Sequence, residues 1–90
     1  MNKKIVAVSG YFDPIHIGHL EYLSEAKKLG DELHVIVNND YQASLKKGQS
    51  FMSQDDRLEI VKSLKVVDKG IISIDKDKSV KETLIQINPD

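Results

Sequence analysis

Alternation of strand-like and helix-like segments predicts an α/β domain built on a parallel sheet. Short β-branched runs are separated by stretches whose apolar residues recur at helical spacing, and the first run ends in a glycine-bearing turn that opens a helix. Such alternation favours right-handed crossovers and a three-layer arrangement. Ile5 to Ser9 is a continuous apolar run, the mark of a strand covered on both faces. Leu20, Leu23 and Ala26 follow at helical spacing, Lys27 and Lys28 suit a helix C-terminus, and Gly30 marks a stop. Leu33 to Val37 reads as a second buried strand. Asn38 to Gln49 shows no clear period and contains Gly48, so a long loop is expected there.

Ser53 followed by Gln54, Asp55 and Asp56 predicts a capped helix start, continued by Leu58, Val61 and Leu64. Ile71, Ile72 and Ile74 give a third strand, and Asp75 to Lys78 a charged turn. Ser79 and Glu82 have capping-box spacing for a last helix through Val80, Leu84 and Ile87, which Asn88-Pro89 ends. The expected domain therefore has three strands and three helices within residues 1–90.

Composition narrows the function. A chain of 90 residues makes one small domain with a modest core. Its hydrophobic content of 40% and charged content of 30% suit a soluble globular protein. The net charge of −1 gives no general attraction to nucleic acid or membrane, so any anion site must be local. With no cysteine, disulfides and thiolate metal sites are excluded. No apolar run approaches the roughly 20 residues of a membrane span, and the N-terminus lacks the pattern of a signal peptide. A cytoplasmic location is expected.

The chemistry concentrates in Gly10-Tyr11-Phe12-Asp13-Pro14-Ile15-His16-Ile17-Gly18-His19. Helix N-termini expose unpaired N–H groups and positive partial charge, which hold phosphates. Gly10 and Gly18 are expected to let a ligand approach the backbone. His16 and His19, three residues apart, would leave one face of the first turn. They would donate to phosphate oxygens; the competing reading is half of a metal site, with Asp13 or His34 as the nearest further ligands. Asp13 has a second reading as a residue that fixes the turn. His34, inside an apolar strand, reads as a packed or edge histidine, and Asp40 either faces a second substrate or makes an Asx turn.

This segment resembles the G-x-F-D-x-x-H-x-G-H signature of the cytidylyltransferase-like nucleotidyltransferases, with Gly10, Phe12, Asp13, His16, Gly18 and His19 in place. The likeness continues through Leu29-Gly30-Asp31, Val35 to Asp40, Lys46, Arg57 and Val67-Asp68. Glycerol-3-phosphate cytidylyltransferases and heptose-phosphate adenylyltransferases are similar branches. The resemblance implies a Rossmann-like sheet of order 3-2-1-4-5, with ligand at the carboxyl ends of the strands. Relatives continue beyond the equivalent of Asp90 into further strands, so a truncated domain, or one completed by a partner chain, is expected. Relatives are often dimers, and an incomplete sheet favours self-association.

The implied reaction moves a CMP or AMP moiety from CTP or ATP to a phosphorylated alcohol or sugar, with release of pyrophosphate. Positioning and charge stabilisation carry such chemistry, without a strong general base. The resemblance assigns His16, His19 and Lys46 to catalysis. It assigns Gly10, Tyr11, Phe12, Asp13, Gly18, Arg57 and Lys65 to nucleotide and phosphate binding, with the contact at Tyr11 and Phe12 made through the backbone. Lys46 and Arg57 also have readings as a surface lysine and a helix-capping partner. Lys65 stands where relatives carry arginine, which keeps the charge without the bidentate fork. Gly48 replaces a second family lysine, for which Lys47 could substitute. Mg²⁺ is expected to ride on the phosphates, with no dedicated protein cage. The alternative function is a non-catalytic nucleotide-binding module that keeps only the histidine half of the site. A dehydrogenase-type dinucleotide binder is set aside because G-x-G-x-x-G is missing.

Overall fold

A computed structural model describes residues 3–47, 52–77 and 79–89. Gly48, Gln49, Lys78 and the side chain of Lys47, to which the sequence reading gave roles, lie outside the described residues. Seven elements follow one another: β1 (Ile5–Gly10), α1 (Ile17–Lys27), β2 (Glu32–Val37), α2 (Asp40–Lys47), α3 (Gln54–Lys62), β3 (Lys69–Ile72) and α4 (Lys81–Ile87). The strands form a parallel sheet in the order β1-β2-β3, with Val8 opposite Val35 and Ile36 opposite Ile71. That is the 3-2-1 portion of the expected order. β1 lies at one edge and its burial is only intermediate, so the expected double cover is incomplete there.

Alternation along the strands sends Val6, Val8, Leu33, Val35, Val37 and Ile72 to one face, where they pack with Leu23 and Ala26 of α1 and Leu58 and Val61 of α3. The expected stripe on α1 is thus borne out at Leu23 and Ala26, while Leu20 is mostly outside the core. On the other face Ile36 is fully buried, and His34 Nε2 donates to Glu32 Oε1 at 3.0 Å.

Several local expectations are corrected. The long loop after β2 is largely helix α2. Its period was hidden because its buried residues are Gln42 and Ala43, while Tyr41 and Leu45 face outward. A polar network anchors α2 instead of an apolar stripe: Gln42 Nε2 donates to the carbonyls of Asp77 and Ser79, and Asn39 Nδ2 to those of Ser73 and Asp75. Among the described residues there are therefore four helices, where three were expected.

The capping box at α4 does not form. Val80 occupies the N-cap position without a side-chain bond, and Ser79 Oγ donates to Asp77 Oδ1. Asp75, expected to open a charged turn, is buried and accepts from the N–H groups of Glu82 and Thr83. Ile74 lies past the end of β3 and is half exposed. Ser53 does cap α3, its Oγ accepting from Asp56 N–H at 3.2 Å, and Asn88 ends α4 in a left-handed conformation at φ 53. Among the described residues no helix is long and apolar enough to cross a membrane.

Candidate active site

β1 delivers the chain at its carboxyl end into a tight turn. Phe12 adopts φ 52, unusual for a bulky residue, and its ring is buried. A Cβ on Gly10 would lie 2.8 Å from that ring, so Gly10 is dictated by Phe12. Gly18 is similar, since a Cβ there would meet His16 Cε1 at 2.8 Å. Both glycines are thus required by the turn's own side chains, the Phe12 ring and the His16 ring.

His16 is the N-cap of α1, and the first turn of that helix has no acidic residue. Histidines do the capping. His16 Nδ1 accepts from Gly18 N–H at 3.0 Å, and His19 Nδ1 accepts from His16 N–H at 3.0 Å. A backbone N–H can only donate, so both Nδ1 atoms are unprotonated and each neutral ring carries its proton on Nε2. The imidazoles lie together, with centroids 4.0 Å apart and planes inclined by 33°. The edge of Phe12 supports His19 at 4.9 Å. Partial burial, then the adjacent His16 ring, hold the His19 pKa below the ordinary imidazole value. The result is a pair of Nε2–H donors on one helix N-terminus, well suited to anionic oxygens.

The same bonding disfavours a metal at this pair, because the protonated Nε2 atoms have no lone pair to offer. Asp13 Oδ1 accepts from Met52 N–H at 2.7 Å, and His34 pairs with Glu32. Among the described residues no cluster of three potential metal ligands occurs.

The remaining candidates divide. Lys46, on α2 instead of in a loop, places Nζ 4.5 Å from the Tyr11 ring centroid, beside the histidine turn. Arg57 is corrected from a phosphate ligand to an internal clamp. It is fully buried; Nη1 donates to the carbonyls of Tyr11 and Asn38, Nε to that of Met52, and Nη2 to Asp40 Oδ1. Asp40 is thereby held by Arg57 at 2.7 Å, at the start of α2. Lys65 is also corrected. α3 starts at the carboxyl edge of the sheet beside Tyr11 and runs away from it. Lys65 follows that helix, in the turn that enters β3 at the amino edge, opposite the histidines.

Sequence reasoning missed a cavity of about 450 Å³ at the carboxyl ends of β2 and β3, walled by Asn39, Tyr41, Gln54, Ile72 and Ile74 among others. Its signal was faint: Tyr41 and Ile74 are exposed apolar residues flanking strand ends.

Residues 7–90 match the sequence profile of a family described as cytidylyltransferase-like. The chain belongs to that family. It is 40% identical over 85 residues to an FAD synthase of Thermoplasma volcanium, covering 94% of this chain and 58% of the relative. It is 43% identical over 90 residues to an FAD synthase of Thermococcus sibiricus, covering 98% and 60% respectively. The chain thus spans about three fifths of these relatives' length. A solved structure described as a lipopolysaccharide core biosynthesis protein from Thermoplasma volcanium superposes with a TM-score of 0.91 at 37% identity, over 99% of this chain and 71% of that one. The fold and the family expected from the histidine motif are both shown.

Proposed function

We propose that this domain handles the triphosphate in an adenylyl transfer. An oxygen of an acceptor phosphate bonds to the α-phosphorus of ATP, the bond from that phosphorus to the bridging oxygen breaks, and pyrophosphate leaves with the electron pair. The acceptor oxygen is already ionised near neutral pH, so no base is required. The observation that carries this reading is the paired Nε2–H donors of His16 and His19 at the start of α1, with rings 4.0 Å apart. They would donate hydrogen bonds to the phosphoryl oxygens as charge gathers there. Lys46 would leave the Tyr11 face to add a positive charge to these two neutral donors.

Similarity to proteins named FAD synthase moves the choice of nucleotide toward ATP and the choice of acceptor toward FMN, whose ribityl phosphate is a phosphorylated alcohol. The cavity beside Tyr41, of about 450 Å³, falls in the usual size range of small-molecule sites and would take the flat flavin ring. Mg²⁺ would accompany the triphosphate and screen its charge. The described residues offer no three-ligand cluster, so phosphate oxygens would supply most of its coordination.

The test is to incubate the chain with ATP, Mg²⁺ and FMN and to follow pyrophosphate and FAD. CTP with glycerol-3-phosphate is run in parallel. FAD formation is expected. Turnover with CTP alone would restore the cytidylyl reading, and saturable binding without turnover would favour a nucleotide-binding module.

A further inference from the structure

A guanidinium removed from water is costly unless every donor is matched, so a fully buried arginine marks a junction. Arg57 makes four hydrogen bonds to three separate stretches of the chain. It bonds the Tyr11 carbonyl beyond β1 (2.8 Å), the Asn38 carbonyl beyond β2 (2.7 Å), the Met52 carbonyl before α3 (3.0 Å) and the Asp40 carboxylate that opens α2 (2.7 Å). Asp13 strengthens the same junction from the histidine turn by accepting from Met52 N–H. The connections close a circuit. Asp40 begins the helix that carries Lys46; Lys46 lies over Tyr11; and the carbonyl of Tyr11 returns to Arg57.

We propose that Arg57 is a positioning residue that sets the spacing between the histidine turn and the helix bearing Lys46, without touching nucleotide. Its catalytic consequence rests on the adenylyl-transfer reading above; its structural consequence does not. Lysine retains the charge but cannot reach these four acceptors together.

The experiment compares wild type, Arg57→Lys and Asp40→Asn by NMR in the full chain without nucleotide. Stacking on Tyr11 shifts the Lys46 ε-methylene protons upfield in wild type. Arg57→Lys is expected to abolish that shift and move the His16 and His19 ring signals, while the amides of β2 stay dispersed. Asp40→Asn removes the charge that draws Arg57 Nη2 to the start of α2 and is expected to weaken the Lys46 shift; it decides the matter if Arg57→Lys fails to fold. Unchanged Lys46 and histidine signals in folded Arg57→Lys, or an unchanged Lys46 shift in Asp40→Asn, would overturn the proposal. Where wild type turns over, folded Arg57→Lys should lose ~10²-fold in kcat with KM for ATP little changed, as expected for misplacement by about 1 Å. Absence of turnover in wild type would sink the adenylyl-transfer reading and leave the NMR result to judge Arg57.

Discussion

At position 16 one side chain serves two purposes, and substitution can separate them. Asparagine is a strong N-cap whose oxygen can accept from Gly18 N–H, but it lacks the outward Nε2–H. His16→Asn is therefore expected to keep its melting temperature within about 2 °C of wild type, the shift of a few tenths of a kcal/mol, and to lose ~10²–10³-fold in transfer rate. His16→Ala should lose the rate and about 1 kcal/mol of stability as well, read by urea denaturation. At His19 acidification has a definite sign. Its pKa is lowered in the fold, so the unfolded chain takes up a proton first. The stability from neutral His19 is present above about pH 6.5 and is lost as pH falls from there through the lowered value. Protonation would also put a hydrogen on Nδ1, against His16 N–H. Histidine signals followed from pH 8 to 5 should show the two rings parting as His19 titrates. The histidine pair was legible in the sequence because motif and spacing coincide. Arg57 was legible in principle: it lies one turn before Val61 on the face of α3 that packs inward, where a surface or phosphate role is hard to reach.

Elements anchored by polar groups were the ones hidden from pattern reading. α2 buries a glutamine and an alanine, which leave no 3.6-residue apolar signal. α4 is capped by an aspartate six residues before its first residue, beyond the reach of any local capping rule. Burial pushes the Asp75 pKa up, but bonds from the Thr83 hydroxyl, the N–H groups of Glu82 and Thr83, and Ser73 outweigh it and hold the carboxyl below its ordinary value. The stability it gives is thus present above about pH 3.9 and lost as pH falls through the lower folded value. Asp75→Ala leaves three donors in and around the first turn of α4 unmatched and is expected to cost about 2 kcal/mol, measured by thermal unfolding. Hydrogen exchange should show α4 opening well before β2. The strands, by contrast, were placed to within a residue or two, because β-branched runs in a buried parallel sheet carry an unbroken apolar signal.

Across the whole molecule, alternation of elements was enough to anticipate a parallel α/β sheet, while the order β1-β2-β3 came only with the family resemblance. Position relative to the sheet decided the candidate site. His16, His19 and Lys46 cluster near Tyr11 at the carboxyl edge, and Lys65 is excluded by lying at the other end of α3. Linear spacing could not show which end of a helix faces the ligand. Among the described residues β1 pairs with β2 alone. Strand edges recruit further strands, so sedimentation of the 90-residue chain is expected to reveal concentration-dependent association; a strictly monomeric species at all concentrations would contradict it. Two imidazoles, held as Nε2–H tautomers by their own helix caps, would meet the phosphates of a nucleoside triphosphate. Long-range ¹H–¹⁵N imidazole spectra during an ATP titration test this. Nε2–H tautomers are expected for His16 and His19 in the free protein, with saturable movement of both Nε2 signals with ATP. Nδ1–H tautomers, or two rings that ignore the nucleotide, would contradict it.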